Sequence, residues 1–93
     1  MKNERVGEFE ELTLLAVRAL GEPAYAVPVQ RFLEKKAGRA VSMGAVYAAL
    51  GRLENKGLLH STIGEVTPPG MRMLEDLRRV REQIWRTIEE GGA

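Results

Sequence analysis

The chain has 93 residues, a formal net charge of +1, one histidine and no cysteine. That length suits one small domain whose core is marginal for a monomer, so oligomerisation is expected. The missing thiols exclude disulfides and thiolate metal sites, a single histidine leaves no zinc site, and the expectation is no metal and no cofactor.

The amino-terminal MKNERVGEFEE lacks an apolar run of signal-peptide type. The most apolar stretch, Leu12 to Leu20, is about half of a membrane span and contains Arg18. A soluble, cytoplasmic protein without membrane contact is expected. Glu8–Leu20 then reads as a first helix. Phe9, Leu12, Leu15, Ala16 and Ala19 share one stripe, and Leu14, Val17 and Leu20 widen it. A helix apolar over so much of its circumference must be covered on more than one side, which assigns Phe9 and Leu12 to contact with a second copy of the chain. Gly21 and Pro23 stop it.

A second helix is expected over residues 25–38, starting near Val27 because Pro28 is tolerated only in a first turn. Val29, Phe32, Leu33 and Ala37 make its core face, and Gly38 ends it. A short connection leads to the most informative stretch, residues 40–57. Ser42 is a good N-cap, with Val41 and Val46 at the positions of a hydrophobic staple. Met43, Val46, Leu50 and Leu53 form one apolar face, while Gly44, Ala48, Gly51 and Asn55 lie about 180° away and leave that side almost bare. Gly57 can close the helix in the left-handed conformation. Two short helices joined by a tight, glycine-containing turn make a helix-turn-helix pattern.

Residues 58–62 have strand character, and Glu65, Val66 and Thr67 can pair back on them across Ile63-Gly64 as a very short hairpin. Thr67 is the N-cap of a last helix with Pro68 at its first position and a second staple from Val66 to Met71. This long helix runs over residues 71–90. Met73, Leu77, Val80, Ile84 and Thr87 step by four and three as the seam of a two-stranded coiled coil, with Ile88 continuing the apolar face. Met73, Leu77, Val80, Ile84 and Ile88 are therefore dimerisation candidates. Trp85, beside the seam, serves the interface or offers a stacking surface for a small planar apolar effector.

Charge is unevenly spread. Residues 1–24 carry three basic and five acidic side chains, residues 25–62 six and two, and residues 63–93 five and six. The excess positive charge is confined to the segment holding the bare-faced helix, a modest footprint for a polyanion that a plain solvated surface would also explain. There is no nucleophile with a base, no phosphate loop and no paired carboxylates in a recognisable setting, so no catalytic residue is assigned and the chain is not read as an enzyme.

These motifs resemble the PadR family of bacterial transcriptional regulators over nearly the whole chain. The resemblance is carried by Gly7-Glu8-Phe9-Glu10, Leu20-Gly21-Glu22, Ala24-Tyr25 and Gly38-Arg39. It is strongest from Val41 through Leu50, continues in Arg52-Leu53-Glu54-Asn55-Lys56-Gly57-Leu58, and returns at Thr67-Pro68 and Gly70. It implies a mainly α fold: a winged helix-turn-helix domain over residues 1–70 with a very short β-hairpin wing, and a long C-terminal dimerisation helix over residues 71–93 packed with it. It also implies a homodimeric repressor that binds double-stranded DNA through residues 42–57. The wing is shorter than the family's usual one and carries only Glu65, so no basic wing contact is implied. Candidate DNA-binding residues are Tyr25, Arg39, Ser42, Gly44, Tyr47, Ala48, Arg52 and Lys56. The alternative function is a winged-helix dimer that has lost DNA binding and acts as a protein-interaction module.

Overall fold

A computed structural model describes residues 6–21, 25–38, 40–60 and 62–92. Four helices and a two-stranded antiparallel sheet follow in the order α1 (Glu8–Leu20), α2 (Ala26–Ala37), α3 (Met43–Asn55), β1 (Leu59–His60), β2 (Glu65–Val66) and α4 (Pro68–Glu89). Among the described residues, no helix is long and apolar enough to cross a membrane.

The local signals act where the chain places them. Ser42 Oγ accepts from the Ala45 amide at 3.0 Å, capping α3. Val41 and Val46 of the staple are both buried. At the other end, Gly57 is left-handed at φ 74°, its amide donates to the Glu54 carbonyl, and the Leu58 amide donates to the Leu53 carbonyl. That paired pattern satisfies carbonyls the helix would otherwise leave open. Thr67 does three jobs at the start of α4. Its hydroxyl accepts from the Gly70 amide at 3.1 Å and donates to the Gly57 carbonyl at 2.7 Å, while its amide donates to the Leu58 carbonyl at 3.0 Å. The end of α3 is thus bolted to the beginning of α4.

The core is built from Leu14 and Val17 of α1, Val29 and Leu33 of α2, Val46, Leu50 and Leu53 of α3, Leu59 of β1 and Leu74 of α4. The turn between α2 and α3 is locked by α2 side chains. Gln30 Nε2 donates to the Val41 carbonyl at 2.7 Å, and Glu34 Oε2 accepts from the Val41 amide at 3.1 Å. Both polar groups of a buried backbone unit are satisfied, which orients α3 against α2.

Several boundaries and faces differ from the sequence reading. Helix α2 starts at Ala26, leaving Pro28 in the first turn, and Ala37 is exposed beyond the core. The hairpin pairs only Leu59 with Val66 and His60 with Glu65, and Gly64 turns left-handed at φ 62° just before β2. Helix α4 includes Pro68 through Gly70 and ends at Glu89.

The largest correction concerns α1. Its inward face is Glu10, Thr13, Leu14 and Val17, while Leu15 and Ala19 are exposed and Leu12 is half-buried. Ala16 of the expected stripe is buried. The expected stripe is displaced rather than lost: Phe9, Leu12 and Leu20 pack partly buried against the chain's own core, and the helix is turned so that Glu10 faces its two cationic partners at the end of α3. The Thr13 hydroxyl makes inward placement possible for a polar residue by donating to the Phe9 carbonyl at 2.8 Å.

The radius of gyration, 14.2 Å, exceeds the ~12 Å of a compact chain this long. The excess comes from α4, whose C-terminal half leaves Val80, Ile84, Trp85 and Ile88 exposed. Met73, a seam candidate, instead packs against the chain's own core, and Leu77 is half-buried.

Candidate nucleic-acid interface

Helix α3 has one face in the core and one in solvent. Leu50 and Leu53 face inward at three- and four-residue steps from Val46, so Gly44, Ala48 and Asn55 fall on the exposed side with Gly51 at its edge. A Cβ placed on Gly44 or on Gly51 would meet nothing within 4 Å. Neither glycine is there for packing within the chain. The third helical glycine is the opposite case: a Cβ on Gly70 would lie 2.3 Å from the Leu58 carbonyl oxygen and 2.8 Å from Val66 Cγ1. Gly70 is required by a close approach of backbone to backbone, and Gly44 and Gly51 are not.

Tyr47 projects from the margin of the bare face with 63 % exposure. Tyr25, just before α2, donates its hydroxyl to the Thr62 carbonyl at 3.1 Å and so ties α2 to the hairpin loop. Ser42 is exposed but its oxygen is committed to the α3 cap. Arg31, Lys35 and Lys36 are exposed on α2. Arg39 lies outside the described residues.

Arg52 and Lys56 are engaged within the protein. Glu10, a buried residue of α1, accepts from Arg52 Nε at 2.5 Å through one oxygen and from Lys56 Nζ at 2.7 Å through the other. The Lys56 hydrogen bond is the main reason the Glu10 carboxyl titrates below the usual carboxylate range. Burial opposes that shift, and Arg52 adds to it. One carboxylate therefore offsets much of the positive charge of the α3 C-terminus. Arg52 is still half exposed, and only its Nε is used, so its terminal guanidinium nitrogens bond to nothing among the described residues.

A second buried acid joins α1 to α4. Glu11 accepts both terminal nitrogens of Arg81 at 2.6 Å each, a two-pronged pair that sets the angle at which α4 leaves the core. Sequence reasoning missed both acids as partners. The only signal was spacing: Glu10, Leu14 and Val17 step by four and three, which places Glu10 on the core face once that face is chosen.

The described residues hold no group of three or more His, Cys, Asp or Glu side chains that could bind a metal ion. No family model, no curated protein and no solved structure matches the chain.

Proposed function

We propose that the protein is a PadR-like DNA-binding transcriptional regulator, a homodimeric winged-helix repressor that lays α3 in the major groove of an operator. The observation that carries this reading is the outer side of α3. It offers bare backbone at Gly44 and Gly51 over open space, with Ala48 between them and an exposed Tyr47 beside them. A glycine inside a helix costs about 1 kcal/mol relative to alanine. Two of them on one solvent face, unexplained by packing, suit a partner that approaches the backbone closely, and an α-helix fits the major groove of B-DNA.

The surroundings supply the remaining parts. The α2–turn–α3 pair, the hairpin and the long α4 follow in the order of a winged helix-turn-helix, with the hairpin as a very short wing. Arg31, Lys35 and Lys36 on α2 and the free end of Arg52 suit phosphate contacts, which position a protein on DNA and weaken with salt. The exposed apolar residues Val80, Ile84 and Ile88 of α4, with the exposed Leu15 of α1, support self-association. Two α3 helices about 34 Å apart would then meet successive turns of one duplex. Trp85, exposed on the same half of α4, suits a stacking contact with an apolar effector.

Duplex selection followed by fluorescence anisotropy at two salt concentrations tests this reading. Selected duplexes should bind with affinity that falls steeply as salt rises. Ala48→Glu, at an exposed position, should abolish binding without changing the melting temperature. One observation favours the alternative of a protein-interaction dimer: Glu10 engages Arg52 and Lys56, and the hairpin adds only Glu65. Absence of salt-dependent binding to any duplex, from a protein that still dimerises, decides for that alternative.

A further inference from the structure

A groove of about 490 Å³ runs between the start of α2, the hairpin and the margin of α3. Its floor is apolar, with Leu50 and Leu59 nearly buried beneath it. Tyr25 and Tyr47 line it with exposed rings, and Glu54 adds a carboxylate. The α3 contributions, Tyr47, Leu50, Gly51 and Glu54, are spaced by three, one and three residues and so share one stripe of the helix. Gly51 keeps the groove open, since no atom lies within 4 Å of where its Cβ would be. The hydrogen bond from Tyr25 to the Thr62 carbonyl holds one aromatic side chain in place. Glu54 makes no ion pair among the described residues.

Two electron-rich ring faces, one unneutralised carboxylate and an apolar floor are the elements that recognise organic cations. The volume falls in the range of small-molecule sites. A phosphate would be repelled by Glu54, and a neutral apolar ligand would leave the carboxylate unused. We infer that this groove binds a small organic cation, with an ammonium or guanidinium head against the Tyr25 and Tyr47 rings near Glu54 and an apolar body over Leu50 and Leu59. A consequence rests on the DNA-binding reading above: an occupant covers Tyr47 and Gly51, so cation and duplex compete.

The test titrates benzyltrimethylammonium into the full chain and follows the ring resonances of its two tyrosines by NMR, with benzyl alcohol as the neutral comparison. Both tyrosines should shift saturably with the cation and far less with the alcohol. Glu54→Gln should weaken binding about fivefold, the scale of an exposed charge pair. Gly51→Leu, which fills the groove from a position with open space, should abolish it while the fold is retained. No saturable shift, or equal binding of the alcohol and no effect of Glu54→Gln, overturns the site. The duplex competition is read separately. If the cation shifts both tyrosines but leaves the duplex Kd unchanged, the site stands and its coupling to DNA is wrong. If no duplex binds at all, the regulator reading fails and the site stands on the NMR result.

Discussion

Replacing each helical glycine by alanine separates packing from function. At Gly51 the new methyl enters open space. The change removes the helix-interior penalty of glycine, so Gly51→Ala should stabilise the fold by about 1 kcal/mol, a rise of roughly 5 °C in Tm for a domain this size. At Gly70 the same methyl would lie 2.3 Å from a backbone oxygen and 2.8 Å from Val66 Cγ1, far inside the ~3.5 Å optimum of non-bonded contacts. Neither α4 nor the Leu58 segment can yield without loosening the Thr67 hydrogen bonds that join them. An overpacking penalty of about 1–3 kcal/mol, with about 1 kcal/mol for each hydrogen bond weakened, outweighs the helix-propensity gain. Gly70→Ala should therefore lose about 3 kcal/mol and more than about 10 °C. Thermal and urea unfolding followed by circular dichroism measure both. On the proposed DNA-facing side, Gly51→Ala should also weaken duplex binding about tenfold, the effect of a methyl intruding on a close contact. A destabilised Gly51→Ala variant, or a neutral Gly70→Ala variant, would refute the open space at Gly51 or the close approach at Gly70. A stabilised Gly51→Ala variant with unchanged duplex affinity would remove the bare face as the DNA contact.

Glu10 contributes stability while ionised. Its folded-state pKa lies below the ordinary value, so that contribution is complete above the unfolded pKa, about 4.3, and is lost as pH falls through the folded value. Urea melts between neutral pH and about pH 3 should show the wild type losing more stability on acidification than Glu10→Gln. Arg81→Met leaves the buried Glu11 carboxylate without its two-pronged partner; a loss of about 2 kcal/mol is expected, with faster hydrogen exchange in the C-terminal half of α4. Ile84→Asp falls on an exposed position of α4, so the helical signal should persist while sedimentation velocity shows the proposed dimer reduced to monomer. A variant that remains a dimer places the self-association surface elsewhere.

Features that depend on neighbours in the chain were legible in the residues. Ser42 and Thr67 as caps, Gly57 as a left-handed stop, the proline at the head of α4 and the Val46–Leu50–Leu53 core face all follow from interactions within about one helical turn. The bare face of α3 was legible for the same reason, since it lies opposite that core face. The solvent-facing stripe of α4 was only partly so: its period marked Met73 and Val80 alike, yet Met73 is taken by the chain's own core and Val80 is not.

What the tertiary structure decided are choices between local equals. Helix α1 has two apolar sides, and only the arrival of α3 selects the one containing Glu10. Arg52 and Lys56 have the same composition whether they serve a phosphate or a carboxylate, and the carboxylate that holds them is 42 and 46 residues away in the chain. Gly44, Gly51 and Gly70 are the same residue in helices, but of the three only Gly70 has a carbonyl where a Cβ would stand. A chain's periodicity records which residues share a face; the pairing of faces depends on contacts between segments far apart in sequence, and there the charge and the free space of this site are settled.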